Sequence, residues 1–110
     1  MAYNAALAKR VRVVFKTRTD VVEKKMFGGL CYMVSGHMCC GIINDTLMAR
    51  VGPAQYGNCL GLPHTREMDF TGKPMKGMVY VDPAGIGTEP DLVAWISRCL
   101  DFVESLPPKK

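Results

Sequence analysis

Residues 30–51 read LCYMVSGHMCCGIINDTLMARV, and this segment indicates how the chain folds. It contains three runs of apolar and β-compatible residues, at positions 30–34, 37–43 and 46–51. The pairs Ser35-Gly36 and Asn44-Asp45 separate the runs and are typical of two-residue hairpin turns. The segment therefore predicts three antiparallel strands joined in a meander.

The two predicted turns also predict the faces of the sheet. If both are two-residue loops, Cys31 lies opposite Cys40, and Cys40 lies opposite Ala49. One face, which we expect to be the core, then carries Cys31, Met33, Met38, Cys40, Ile42, Leu47, Ala49 and Val51. The other face carries Leu30, Tyr32, Val34, His37, Cys39, Ile43, Met48 and Arg50. Because this second face is too apolar to be fully hydrated, we expect a partner protein or a second copy of the chain to cover it.

Helices are predicted on both sides of this segment. The apolar stripe of the first helix consists of Tyr3, Leu7, Val11, Val14 and Phe15. Pro53 opens a short helix over residues 54–60. Thr88 is the predicted N-cap of a last helix that ends before Pro107-Pro108.

Two further strands are predicted in the second half of the chain. The clearer one is Met78-Val79-Tyr80-Val81, and a weaker one covers residues 67–70. The predicted order is therefore α-β(3)-α-β(2)-α. An antiparallel sheet with helices on one face, a two-layer α+β sandwich, is the simplest fold with that order.

Composition places the chain among ordinary globular domains. Apolar residues make up 48% and charged residues 22% of its 110 residues, so we expect one domain over residues 1–110. No apolar run reaches the roughly 18 residues that a membrane helix needs, and the N-terminus lacks the apolar core of an export signal. The five cysteines are odd in number and match no secreted disulfide framework. We therefore expect a cytoplasmic protein with no attachment to a membrane.

The cysteines are the first candidate site. A facing Cys31–Cys40 pair could form a cross-strand disulfide or, with His37 and Cys39, part of a metal site. Zinc requires four tetrahedral ligands, whereas adjacent Cys39 and Cys40 should point to opposite faces of a strand, leaving two ligands on each face. We therefore expect reduced thiols in the core, and we predict no metal and no cofactor.

Basic residues are the second set of candidates. Lys73 and Lys76 lie in a glycine-containing loop that either binds a phosphate or an acidic partner or is simply hydrated, and the loop lacks the P-loop pattern. Arg50 is predicted on the apolar second face, where it either pairs with a carboxylate or carbonyl group or recognises a ligand or partner. The net charge of +4 indicates weak, salt-sensitive attraction to nucleic acid. Lys25 belongs to the basic residues that could contribute to it.

The sequence contains no recognisable catalytic motif. Neither His37 nor His64 lies in a nucleophile or metal motif, and Ser35 lacks the Gly-x-Ser-x-Gly elbow. We therefore predict no catalytic residue and no enzyme. The predicted interaction surface consists of Arg50, Met48, His37, Lys73, Lys76 and Lys25.

Four stretches of the chain resemble the N-terminal domain of the TfoX/Sxy competence regulators. They are Met26-Phe27-Gly28-Gly29-Leu30, Gly36-His37-Met38, LMARVG at 47–52 and MDFTGKPMKG at 68–77. The resemblance covers residues 3–108 and implies an α-β(3)-α-β(2)-α sandwich with an antiparallel sheet, like that of secretion chaperones. Full-length regulators carry a second, C-terminal domain and work with a transcription factor to switch on DNA-uptake genes. Because this chain ends at Lys110, we expect a stand-alone N-terminal domain.

These observations predict a non-enzymatic regulatory or adaptor module that binds another protein, in a role linked to transcription or competence. The contact would be made through a sheet face or through the loop that contains Lys73 and Lys76. Two alternatives remain: a nucleic-acid-associated protein that uses its basic surface, and a sensor of a small anion or metal.

Overall fold

The computed structural model describes residues 3–26, 28–68 and 77–107, without the side chain of Met26, and these form helices and one antiparallel sheet. The helices are α1 (Ala5–Phe15), α2 (Pro53–Leu60) and α3 (Glu89–Glu104). The strands are β1 (Val21–Met26), β2 (Gly29–Val34), β3 (His37–Ile43), β4 (Thr46–Arg50), β5 (Thr65–Glu67) and β6 (Met78–Val81). Their order in the sheet is β1-β2-β3-β4-β6-β5, and every neighbouring pair is antiparallel. The predicted α+β class is confirmed.

Both predicted hairpin turns are present. Ser35 and Gly36 have φ values of 51° and 86°, and two successive residues with positive φ are typical of a type I′ turn. Asn44 in the second turn has a φ of 54°. Turns of this twist keep successive strands side by side, so β2, β3 and β4 form the predicted meander.

Strand β1 was not predicted from the sequence. It pairs along its whole length with β2, so the described order is α-β(4)-α-β(2)-α, with one strand more than expected. Its sequence gives a weak strand signal because Glu23, Lys24 and Lys25 interrupt the apolar alternation. Charged residues are acceptable here since β1 is at the edge of the sheet, where one side of the strand faces solvent.

The other elements lie close to their predicted positions. Strand β5 covers residues 65–67, slightly earlier than the strand predicted at 67–70, and residues 69–70 lie outside the described residues. The predicted N-cap of α3 is confirmed, because Thr88 Oγ1 accepts a hydrogen bond of 3.3 Å from the Asp91 amide. None of the helices in the described ranges is long and apolar enough to cross a membrane.

A β-bulge changes the register between β2 and β3. Met33 pairs with Met38, but the next residue back on β2, Tyr32, pairs with Cys40, so Cys39 is an extra residue on β3. The predicted pairing of Cys31 with Cys40 is therefore wrong, and Cys31 pairs with Gly41. The predicted pairing of Cys40 with Ala49 is confirmed.

The bulge also changes which residues form the core. Because one extra residue moves the side chains beyond it to the other face, residues 30–34 of β2 lie on the opposite faces from those predicted for them. The main core between sheet and helices contains Leu30, Tyr32, Val34, Cys39, Cys40, Ile42, Leu47, Ala49 and Val51, with side chains of all three described helices. Cys31, predicted as core on the helix side, belongs instead to a second cluster on the opposite face.

Gly29 allows β2 and β3 to approach each other closely. A Cβ atom at this position would collide with the backbone carbonyl of Ile42, which cannot move without disturbing the ladder. Gly57 in α2 is a natural comparison, because a Cβ atom there would meet nothing within 4 Å.

We expect Gly29→Ala to lower the free energy of unfolding by about 2 kcal/mol, because the added methyl group forces the strands apart. Gly57→Ala is the control and should be neutral or stabilising by about 0.5 kcal/mol, since it replaces a helical glycine in open space. Urea unfolding followed by circular dichroism measures both values. Equal stability of the two variants would contradict the close approach at Gly29.

Candidate functional site

A row of residues crosses the sheet on the face opposite the main core, and we call it the central row. Its members are Cα partners on successive strands: Lys24, Cys31, Gly41, Met48, Tyr80 and Arg66. Cys31 and Met48 are fully buried, Tyr80 is half-buried, and Lys24 and Arg66 are exposed. The central row is therefore apolar in the middle and basic at both ends.

Gly41 makes room for the middle of the central row. A Cβ atom at Gly41 would lie 2.8 Å from Met48 Cε, 2.9 Å from the Leu30 carbonyl oxygen and 3.2 Å from Cys31 Sγ. Without that atom, the end of the Met48 side chain lies against β3. Met48 was predicted as part of the interaction surface; the structure buries it completely, and its role in binding a partner stays a prediction.

The partly exposed side chains lie around this buried centre. Val22, Met33 and Met38 form a second cross-strand row, and Val22 is 56% exposed. Met33 and Met38 are half-buried. We use the name methionine face for these three residues together with Lys24, Ile43, Tyr80 and the buried cluster of Cys31, Met48, Met68 and Met78. Methionine side chains are flexible and polarisable, and they are common on surfaces that bind apolar segments.

Arg50 lies at the end of β4 and connects it to two other elements. Its Nη1 donates a hydrogen bond of 3.2 Å to the Met38 carbonyl, and its Cζ is 5.3 Å from the ring centroid of Phe102 on α3. The expected carbonyl contact of Arg50 is thus present. Its role in recognising a ligand or partner stays a prediction.

Two glycines shape the corner beside Arg50. Gly52 has a φ of 86°, and a Cβ atom on it would collide with the Phe102 ring. The Gly77 carbonyl accepts hydrogen bonds from the amides of Val51 and Gly52, at 2.9 and 3.0 Å. The cavity at this corner is only about 110 Å³, well below the usual size of a ligand pocket.

Lys73 and Lys76 lie outside the described residues, so the proposed anion-binding loop stays a prediction.

The predicted site residues do not form one surface. His37 and Arg50 lie at the same end of the sheet, since Arg50 binds the carbonyl of Met38. Lys25 pairs with Leu30, at the opposite end of β2 from the turn that precedes His37. The His37 ring lies 2.7 Å (Nε2) from the Pro107 carbonyl, which ties the hairpin to the end of α3.

An ionic network that the sequence did not predict holds this end of the molecule together. Arg18 donates two hydrogen bonds of 3.0 Å to the Asp20 carboxylate, and Ser35 Oγ donates a third of 2.7 Å. The Ser35 amide also donates to the Asp20 carbonyl at 3.0 Å. The Arg18 guanidinium and the Ser35 hydroxyl lower the pKa of Asp20 to about 2. Asp20 therefore fixes the β2–β3 turn to the segment before β1.

Three fully buried cysteines, Cys39 and Cys40 on β3 and Cys99 on α3, belong to the main core. Adjacent Cys39 and Cys40 were expected on opposite faces, but the bulge turns both toward the helices, and that expectation is corrected. Within the described ranges, no group of three or more His, Cys, Asp or Glu side chains is arranged to hold a metal ion.

A cavity of about 360 Å³ lies between the α2–β5 connection and α3. Its lining includes His64, Asp91, Trp95 and Arg98. Arg98 is stacked on Trp95, with 4.7 Å between its Cζ and the ring centroid. No motif in the sequence indicates this cavity, because its residues come from separate segments of the chain.

The Asp20 network predicts a pH dependence of stability. Because the pKa of Asp20 is lower in the folded chain than its usual value of 3.8, the network stabilises the fold at neutral pH, and this contribution is lost as pH falls from about 5 toward 2. We expect Asp20→Asn to lower the free energy of unfolding by about 1 kcal/mol at pH 7, allowing for solvent screening, and by much less at pH 2.5. Urea unfolding at both pH values measures this difference. Asp101→Asn on the exposed side of α3 is the control. If Asp20→Asn lowered the free energy of unfolding by the same amount at both pH values, the stabilising role of the ionised Asp20 carboxylate would be contradicted.

Comparison with known protein families agrees with the resemblance seen in the sequence. The model of the TfoX N-terminal domain matches residues 14–103. That range runs from the end of α1 into the last turn of α3 and includes all six described strands. No curated protein and no solved structure matched the chain. The family match covers most of the sequence, and the chain belongs to the TfoX N-terminal domain family.

Proposed function

We propose that this protein is a non-enzymatic regulatory module of the cytoplasm that binds an acidic, amphipathic segment of a partner protein on its methionine face. The observation that carries the proposal is the central row, with its apolar middle and basic ends. The TfoX N-terminal domain family is linked to competence regulation, which supports a regulatory role.

The apolar part of the binding energy would come from the exposed part of the methionine face. Val22, Met33 and Met38 form a row over three adjacent strands, and their exposed surface would be removed from water by an apolar side chain of the partner. Burial of apolar surface contributes about 25 cal/mol per Å². Tyr80 adds an aromatic ring beside the buried methionines.

Charge favours a partner whose acidic end lies over β1. Lys24 is exposed beside Val22, and no ion pair involves it in the described part of the chain. Arg66, at the other end of the central row, is already paired with Asp82 at 2.8 Å and stacked on Tyr80. An acidic side chain of the partner would therefore contribute most electrostatic binding energy through contact with Lys24.

The same ion pairs make nucleic acid the weaker alternative. Four arginines have carboxylate partners, in the pairs Arg10–Glu89, Arg12–Glu23, Arg18–Asp20 and Arg66–Asp82. A phosphate backbone would have to compete with those carboxylates. The guanidinium groups of these four arginines are thus only partly available to a polyanion.

We expect Val22→Glu and Lys24→Glu each to weaken partner binding by about tenfold, because both place a negative charge where the acidic segment docks. The partner is captured from the source cell at physiological salt with nuclease present, identified by mass spectrometry, and titrated against each variant. Val93→Glu on α3 and Lys9→Glu on α1 are matched controls at exposed positions, and both should bind as the wild type does.

Two outcomes would overturn the proposal. If Val22→Glu and Lys24→Glu bind as tightly as their controls, the partner does not use the methionine face. If light scattering shows a dimer that Val22→Glu converts to a monomer, the occupant of the face is a second copy of the chain.

A further inference from the structure

The cavity between the α2–β5 connection and α3 is built from three separate segments of the chain. Helix α3 supplies one wall with Asp91, Trp95 and Arg98, and the other walls are residues 62–64 and 84–85. The volume of about 360 Å³ falls within the range of small-molecule sites. Trp95 belongs to the main core on the helix side of the sheet, so the cavity is separate from the methionine face.

Arg98 brings a positive charge to this cavity, and the structure holds that charge in place without neutralising it. Its Cζ is 4.7 Å from the ring centroid of Trp95, and Trp95 itself is only 4% exposed. A guanidinium stacked on a ring still has the N–H donors at its edge available to an acidic group. In the described ranges, no carboxylate forms an ion pair with Arg98, in contrast to the four paired arginines.

Asp91 brings a negative charge to the same cavity. It lies about two helical turns before Arg98 on α3, so both residues are on the same side of the helix. The Asp91 amide donates to Thr88 Oγ1, but in the described part of the chain its carboxylate takes part in no hydrogen bond and no ion pair. Two opposite charges that line one cavity without pairing are complementary to a ligand that carries both charges.

The wall that contains His64 has an uncommon backbone conformation. His64 has a φ of 62°, and its carbonyl accepts a hydrogen bond of 2.8 Å from the Asp82 amide. Gly85 allows the two segments to approach, because a Cβ atom there would lie 3.2 Å from His64 Cβ and 2.8 Å from Val81 Cγ1. Positive φ at a residue other than glycine costs energy, and such residues are concentrated at ligand sites. The exposed imidazole adds a polar group to the cavity.

We propose that this cavity binds a small zwitterion, of the class of a free amino acid or a dipeptide. The ligand's carboxylate accepts hydrogen bonds from the Arg98 guanidinium, and its ammonium group pairs with the Asp91 carboxylate. The apolar part of the ligand lies against Trp95 and Ala94, between the two charges along α3. His64 closes the cavity from the other side.

The two charges make simpler ligands less favourable. An anion such as phosphate would be attracted by Arg98 but repelled by Asp91, and a small amine would be attracted by Asp91 but repelled by Arg98. A neutral ligand would leave both charges without a partner. A zwitterion gains binding energy from both groups.

Trp95 is the only tryptophan of the chain, so its fluorescence reports directly on this cavity. The test is to titrate the full chain with each of the standard amino acids and with their glycyl dipeptides. We expect at least one of these compounds to change the Trp95 emission in a saturable way, with half-saturation below about 1 mM. The N-acetyl and carboxamide derivatives of that compound each lack one charge and should bind about tenfold more weakly.

Variants of the two charged residues test the same contacts from the side of the protein. Asp91→Asn and Arg98→Gln should each weaken binding of that compound by about tenfold, because each removes one charged partner. Asp101→Asn on α3 and Arg12→Gln on α1 are matched controls at exposed positions outside the cavity, and both should bind as the wild type does. Circular dichroism checks that each variant is folded.

Three results would overturn the proposal. The first is an unchanged Trp95 emission with every compound up to about 10 mM. The second is equal binding of the parent compound and its N-acetyl derivative, which would mean that the cavity recognises an anion alone. The third is equal binding by folded Asp91→Asn and its control. Because the derivatives are tested on the wild-type chain, their result decides the proposal even if a variant fails to fold.

Discussion

The extra residue at Cys39 in the β2–β3 ladder determines which side chains face the helices, and most of the structure depends on that choice. On one side of the sheet it places Leu30, Tyr32 and Val34 in the main core, where the Tyr32 hydroxyl donates to the Ala8 carbonyl at 3.2 Å and ties α1 to the sheet. On the other side it leaves Cys31 beside Met48. The core and the methionine face are therefore consequences of one local irregularity.

The two ends of α3 are held by different kinds of interaction. Thr88 caps its first turn, and Arg10 reaches from α1 to Glu89 at 2.8 Å. Near its C-terminal end, Phe102 packs against Gly52 and lies under Arg50. These contacts explain why Arg50 and Gly52 occur together in the LMARVG stretch. A side chain at position 52 would displace the Phe102 ring, on which Arg50 stacks.

The sequence was sufficient for the class of the fold but not for its register. Turn residues such as Ser35-Gly36 act locally, so their effect can be read directly from the chain. The bulge could not be predicted, because Cys39 and Cys40 are equally compatible with a regular strand, and only packing against α3 distinguishes the two arrangements. Strand β1 was missed for a related reason. Its charged segment forms a strand because β2 supplies backbone hydrogen bonds along its whole length, and this pairing cannot be read from the segment itself.

The candidate site was less predictable than the fold. Arg50 was identified by its charge among apolar neighbours, and its carbonyl contact agrees with that reasoning. The Asp20–Ser35 contact joins residues that are 15 positions apart, and neither residue type is unusual in a loop. Prediction of the central row would have required the register of all six strands, and that register depends on the bulge.

The charges on β1 have a consequence for the behaviour of the protein in concentrated solution. An uncovered edge strand is a template on which another chain can add its own strand, and repeated addition leads to filaments. Glu23, Lys24 and Lys25 occupy the middle of this edge, and their charged side chains oppose the addition of a strand because they would lose part of their hydration. The same residues that weakened the strand signal thus protect this edge of the sheet against strand addition.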